Sequence, residues 1–410
     1  MHTPTVRIDI DEDRNDRFSR FKLISWWDQE RLGRARVLVV GAGALGNEIL
    51  KNCALVGIGN ILVADMDRIE NSNLSRSVLY RESDNGALKA ETAARSVKEI
   101  NPDANVHWFN GNILYDLGLG VYHWADVVIA GLDNREARLA INRNCWRTRT
   151  PWIDGAIEQL NGVARVFVPP DGSCYECTMS ATDWELLKAR RSCNLLSRSE
   201  MIEGKTPTTP TSASIIAAVQ CQEAIKLLHG LDVIKSRGFV YNGLFLDSYI
   251  VEYPRKDDCS SHECYDPIRK TGWRSSGIRI GEVVRSVKDE LGSEAIVEFS
   301  NELLRTLTCD RCGVSTSVFR SLGSVSEHEG RCSSCGAMRT ANTLHSIDGS
   351  EPLLDKTFAE IGIAPFDIVT GRAGTDQIFL EFDGDAEEVL GPLYPSYGAK
   401  KGNNGRSCIS

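Results

Sequence analysis

Between Arg36 and Arg76 the chain fits strand, turn, helix and strand into one short unit, and that unit leaves few folds open. Arg36-Val37-Leu38-Val39-Val40 is an apolar run of the kind found in strands buried on both faces of a parallel sheet. Gly41-Ala42-Gly43-Ala44-Leu45-Gly46 follows at once, then a helix-like stretch to about Val56 and a second apolar strand, Ile61-Leu62-Val63-Ala64. In such a loop Gly41 permits the tight turn, Gly43 lets the backbone approach phosphates, and Gly46 lets helix and strand pack closely. The free N–H groups and positive dipole end of the helix favour an anion there. Asp65 ends the second strand, where a carboxylate can bind both ribose hydroxyls, and Asp67 follows it. The unit by itself fits any dinucleotide-binding domain.

The polar run that follows narrows the choice. Asn73, Arg76 and Lys89 place an amide, a guanidinium and an ammonium just past the ribose-binding strand. Arginine suits multidentate phosphate contacts, and lysine supplies a point charge. Such a cluster stabilises charge on a polyphosphate under attack, and a nicotinamide cofactor carries no triphosphate. A third apolar strand, Ala125-Asp126-Val127-Val128-Ile129-Ala130, runs into Gly131-Leu132-Asp133-Asn134. Asp133 is thereby expected at the carboxyl end of a parallel strand, where open α/β sheets bind ligands. A carboxylate there can hold Mg²⁺ against phosphates or cap the helix that begins near Arg135.

Together "VGAGALG", "ADMDRIENSNLSR", Lys89 and "GLDNREAR" resemble the ThiF/MoeB/HesA family, which includes the adenylation domains of ubiquitin-type E1 enzymes. The resemblance spans roughly residues 14–265. It implies a Rossmann-like α/β domain that uses MgATP to adenylate the C-terminal glycine of a ubiquitin-like protein and releases pyrophosphate. Carried over, Asp65 would bind ribose, Asn73, Arg76 and Lys89 the phosphates, and Asp133 Mg²⁺. Arg17-Phe18-Ser19-Arg20-Phe21 is similar to the family's "RYxRQ" segment, with Phe21 where Gln is usual. The resemblance makes Arg20 an arginine finger reaching the partner's ATP across a homodimer.

The net charge of −9 argues against nonspecific nucleic-acid binding, which needs a basic face. No apolar run approaches the roughly 20 residues that span a membrane, and the polar, acidic N-terminus lacks a signal-peptide core. A cytoplasmic protein is expected. In that setting 13 cysteines point to metal and catalysis rather than disulfides. Cys309, Cys312, Cys332 and Cys335 form two C-x-x-C pairs a short gap apart, the pattern of a structural zinc ribbon. Cys174 and Cys177 lie far from Cys259 and Cys264. Spacing alone pairs these four weakly, but the resemblance implies a second structural zinc site, with His262 available in place of one thiolate. Two Zn²⁺ ions are thus expected.

Cys53, Cys145 and Cys221 fall in apolar helical patterns and read as small core residues. Cys193 sits in Lys188-Ala189-Arg190-Arg191-Ser192-Cys193-Asn194, where cations favour a thiolate. The resemblance makes residues 178–211 a crossover loop and Cys193 the acceptor of the acyl group, as a thioester passed to an E2-like partner. Within the family, a sulfur-carrier adenylyltransferase is the competing reading; an inactive binding scaffold competes from another class.

The expected organisation is an N-terminal helical segment contributing to the dimer (1–35), an adenylation domain (36–265), a linker near 266–275, a smaller α+β domain with the zinc ribbon (276–395), β-grasp-like in its strand and helix alternation, and a disordered tail (396–410).

Overall fold

A computed structural model describes residues 16–185 and 207–398 of the chain. Two sheets organise it. The larger has eight strands in the order β3-β2-β1-β4-β5-β6-β7-β8. Strands β1 (Arg36–Val40), β2 (Asn60–Ala64), β3 (Asn105–Phe109), β4 (Val127–Ala130) and the start of β5 (Trp152–Glu158) run parallel. Beyond them β6 (Asn161–Phe167), β7 (Arg237–Asn242) and β8 (Asp247–Glu252) add antiparallel. Every residue of β1, β2 and β4 is buried, as continuous apolar strands covered on both faces must be.

Helices cover both faces. Helix α1 (Gln29–Arg34) starts at Asp28, whose carboxylate accepts from the Arg31 N–H. Helix α2 (Ala44–Val56) begins at Gly43 and stops at Gly57, which takes the left-handed conformation at φ 83°. Helix α3 (Lys89–Ile100) buries Ala90, Ala93, Ala94 and Val97 on one stripe. Helices α4 (Leu119–Trp124) and α5 (Arg135–Arg147) flank β4. The long helix Pro210–His229 is capped by the Thr209 side chain, carries Pro at its first position and ends at left-handed Gly230. It packs on α2 and on β5 and β6.

The second sheet has β9 (Ile268–Lys270), β10 (Ile296–Thr308), β11 (Ser315–Ser321), β13 (Ile368–Ala373) and β14 (Asp376–Glu381) in the order β11-β10-β13-β14-β9, with β12 (Thr340–Ile347) also paired to β10. The amphipathic helix Ile280–Leu291 lies on β10 and β13 through Ile280, Val283, Val284 and Val287.

Two sequence expectations need correction here. The stretch read as a linker contains β9, which pairs in parallel with β14. The tail does not lose order at 396: the Trp124 Nε1–H donates to Ser396 Oγ (2.9 Å), and the Tyr397 hydroxyl to Glu381 (2.8 Å). The two sheets share a core. Phe366, Ala386, Leu390 and Leu393 share one buried cluster with Leu38, Val40 and Leu62 of the large sheet. No described helix is long and apolar enough to cross a membrane.

Candidate nucleotide site and cysteine clusters

At the carboxyl ends of β1, β2 and β4 lies a cavity of about 1210 Å³. That exceeds the roughly 300–1,000 Å³ of common small-molecule sites. Its floor is the glycine loop. Gly41 has φ +91°, and a Cβ there would sit 2.6 Å from the Gly131 carbonyl oxygen. A Cβ on Gly46 would collide with the Gly41 carbonyl. Gly43 differs: a Cβ there would meet no protein atom, so its backbone faces open cavity. Two residues the sequence reading passed over hold this loop. Asn47 Nδ2 donates to the carbonyls of Ala42 (2.7 Å) and Gly43 (3.0 Å), and the Tyr80 hydroxyl to Ala42 O (2.6 Å).

Asp65 accepts from the N–H groups of Ala42 (2.7 Å) and Asp67 (2.8 Å). Burial pushes its carboxyl above the ordinary value, against the pull of Lys89 and of those two N–H groups. Lys89 opens α3 and turns its ammonium to Asp67 Oδ2 at 2.8 Å. Asn73 Oδ1 accepts from the Glu70 N–H (3.0 Å), and Arg76 Nη1 donates to Ser72 O (2.6 Å). Asp65, Asp67, Asn73, Arg76 and Lys89 all line the cavity. Asp133 lines it too, exposed, and among the described residues it has no hydrogen-bond or ion-pair partner. Capping does not occupy it: Asn134 caps α5, accepting from Ala137 N at 2.7 Å. Asp133 therefore offers a free carboxylate to a hard cation, at the strand end where one would meet phosphates.

Adjoining Leu132 lies a buried ionic triad. Asp154 of β5 is fully buried, accepts from Arg138 Nε at 2.8 Å, and accepts from Arg165 Nε at 2.9 Å and Nη2 at 2.5 Å. Burial would raise the Asp154 carboxyl, but Arg165 and Arg138 outweigh it and hold the group below its usual range. Arg138 Nη2 also donates to Leu132 O (2.5 Å) and Gly155 O (3.1 Å), which fixes the backbone beside Asp133. "GLDNREAR" contains Arg138, but nothing local marks it as the partner of Asp154 and Arg165.

The cavity extends past the phosphate end along Ala156, Ile157, Gly162, Val163 and Tyr241 of β5 to β7. Both ends of the segment that carries Cys193 border it. Thr178 and Met179 line it as the chain leaves, and Thr208 lines it on return, where Gln159 N donates to Pro207 O (2.6 Å). Cys193 itself lies outside the described residues. Arg20 is exposed on the 3-10 turn Ser19–Leu23 and does not line this cavity.

The cysteines gather into two clusters whose ligand atoms lie within 4.8 Å of one another. Cys309, Cys312, Cys332 and Cys335 form the first, with 3.6 Å between the Cys309 and Cys335 sulfurs. Tetrahedral zinc with Zn–S near 2.3 Å sets its sulfurs roughly 3.8 Å apart, so the donor set fits. Backbone N–H groups of Ser334 and Cys335 pull the Cys332 thiol down to about 6. In the second cluster, the atoms within that distance are those of Cys174, Cys177, Cys259 and His262, the imidazole that the sequence leaves available in place of one thiolate. The turn Ser260–His262 carries the imidazole back, so that its Nε2 lies 3.3 Å from Cys177 Sγ. Cys264 lies beyond the turn, with its thiol 3.8 Å from the His262 carbonyl. The ring of His262 packs on Trp146, centroids 4.4 Å apart. Three thiolates and an imidazole suit structural zinc as well as four thiolates do.

The ThiF family model matches residues 15–262. The chain belongs to the ThiF family. It is 32% identical to the SAMP-activating enzyme E1 of Haloferax volcanii over 261 residues, 62% of this chain and 91% of that one. It is 37% identical to the sulfur carrier protein adenylyltransferase of Thermus thermophilus, over 36% of this chain and 57% of that one. With the NEDD8-activating enzyme E1 catalytic subunit of Dictyostelium discoideum it shares 42% identity, but spans only 36% of that protein. Among solved structures it is similar to E. coli MccB with ATP (TM-score 0.51, 25% identity, 62% of this chain and 75% of that one).

Proposed function

We propose that this protein is an E1-like activating enzyme for a ubiquitin-like protein ending in glycine. The observation that carries the reading is one cavity that joins the glycine loop, Asp65, Asn73, Arg76 and Lys89 to Asp133, a carboxylate without a partner among the described residues. Asp65 holds the ribose; Gly41, Gly43 and Gly46 admit the phosphates; Asn73, Arg76 and Lys89 bind the polyphosphate. Asp133 holds Mg²⁺, which neutralises phosphate charge when bound. The peptide carboxylate enters along β5 to β7 and attacks the α-phosphorus. The α–β phosphoanhydride bond breaks, pyrophosphate leaves with its electron pair, and an acyl-adenylate remains. The cations stabilise the charge that develops on the leaving group. Arg20 adds a guanidinium to the site of a second copy in a homodimer.

In the second step the Cys193 thiolate attacks the acyl carbon and expels AMP, leaving a thioester for an E2-like partner. The position of both crossover ends on the cavity supports this step. The two cysteine clusters hold Zn²⁺ structurally. The likeness to the Thermus adenylyltransferase keeps a second reading in play, in which the acyl-adenylate passes to a sulfur donor.

Incubation with MgATP and candidate ubiquitin-like proteins, followed by non-reducing gels and a pyrophosphate assay, tests the proposal. Pyrophosphate with a thiol-sensitive adduct lost in Cys193→Ala supports the full reading. Pyrophosphate without an adduct supports the sulfur-carrier reading. No pyrophosphate with any partner marks a binding scaffold and overturns both.

A further inference from the structure

One side chain links the loop that lines the nucleotide cavity to the small core of the ribbon module. After β3 the loop Gly111, Asn112, Ile113 and Leu114 lines that cavity, next to the strand end where Asp65 N donates to Phe109 O (3.1 Å). The loop is a tight turn: Asn112 Oδ1 accepts from Leu114 N (3.0 Å), Asp116 Oδ2 accepts from Asn112 N (2.8 Å), and Tyr115 N donates to Asn112 O (3.0 Å). Tyr115 reaches from this turn to the other module. Its ring packs on the small core of Leu304, Leu307, Leu322 and Val325. It lies so close over Gly323 that a Cβ on that glycine would collide with it. The same core abuts the cysteine knuckle: Leu307 is two residues before Cys309 on one segment, and Val325 leads through the short helix Glu327–Gly330 to Cys332.

We infer that Tyr115 is a positioning residue through which the ribbon module holds the wall of the nucleotide cavity, and so sets nucleotide affinity. The inference rests on the MgATP reading above. A rigid turn with Asn112 on the cavity and Tyr115 on the module cannot shift at one end alone. The contacts are contiguous from the module to the cavity, which is the physical condition for coupling but needs an energetic test.

That test is MgATP titration of the full chain by calorimetry, with pyrophosphate exchange alongside. Tyr115→Ala is expected to weaken MgATP about tenfold, within the usual span of coupling between sites, with exchange at saturating ATP within about twofold of wild type. Tyr115→Phe keeps the ring and should recover most of the affinity that Tyr115→Ala loses. Gly323→Ala should weaken binding like Tyr115→Ala. The double variant should be no worse than Tyr115→Ala alone, because the ring that the new methyl displaces is gone. Unchanged affinity in Tyr115→Ala, additive losses in the double variant, or a parallel loss of saturated rate would overturn the inference while leaving the MgATP reading intact. Failure of the wild type to bind MgATP would overturn both.

Discussion

Asp133, which lines the cavity, and Asp154, which is fully buried, do opposite things with a carboxylate. Asp133 is exposed and unpartnered among the described residues, and Asn134 does the capping. Asp133→Ala should therefore leave thermal stability unchanged and lower pyrophosphate exchange by about 100-fold, the loss typical when one group stabilising transition-state charge is removed. A melting curve beside the exchange assay checks both halves. Asp154 is buried between Arg138 and Arg165, with its carboxyl held below the ordinary range. Its stabilising contribution is complete above the unfolded aspartate value of about 3.9 and is lost as pH falls through the lower folded value. Acid unfolding should thus show a steep step below about pH 4. In Asp154→Asn that step should vanish, with stability at neutral pH lower by about 3–5 kcal/mol, because two guanidiniums are left buried without their partner. The sequence made Asp133 legible, since a strand followed by Gly-Leu-Asp-Asn says where it stands. It did not make Asp154 legible. Arg138, Asp154 and Arg165 lie on separate elements, and only the register that sets Asp154 beside Ala130 and opposite Arg165 brings them together.

At the scale of the element, the glycine loop and the cysteine clusters make a useful pair. The loop obeys backbone sterics: Gly41 needs positive φ and close approach to Gly131, and a three-residue pattern is enough to encode that. The ligands of the Cys174 cluster obey the geometry of a short turn, which no pattern of cysteines encodes. The turn Ser260–His262 brings the imidazole to the sulfurs, while Cys264 packs against the same cluster. His262→Ala should release one equivalent of zinc per chain, measured by elemental analysis after gel filtration, whereas Cys264→Ala should retain it. The reverse result would restore the all-cysteine set. Both variants should keep the ribbon metal, because its four sulfurs are elsewhere in the fold.

Across the whole molecule, the C-terminal third is built into the large sheet's core. Leu393 is fully buried in the cluster that contains Leu38 and Val40. Arg36, anchored to Asp126 at 2.6 Å, also donates to Ser396 O at 3.4 Å. Leu119 N donates to Asp367 Oδ1 (2.9 Å), and His123 Nδ1 lies 2.7 Å from the buried Glu381 carboxylate. Leu393→Ala should cost about 2–5 kcal/mol, as a cavity in a packed core does. Calorimetry should show it lowering the melting of the entire described body in one transition. Two separate transitions, with only one displaced, would mean that the modules unfold independently.

The sequence alone determined the parallel α/β unit, the glycine turn, the strand-end carboxylate and the gathering of the four ribbon cysteines. Each of these is local, written in backbone sterics, apolar periodicity or short ligand spacing, so neighbouring residues suffice to specify it. Tertiary structure decided what rests on distant partners. It joined Arg138, Asp154 and Arg165 into a triad, brought His262 to the sulfurs of Cys174, Cys177 and Cys259, made a strand of residues 268–270 and fused two sheets through one core. It also laid Tyr115 on the ribbon module. These outcomes depend on register and packing between segments far apart in the chain, where the identity of a residue says little until its neighbour in space is known.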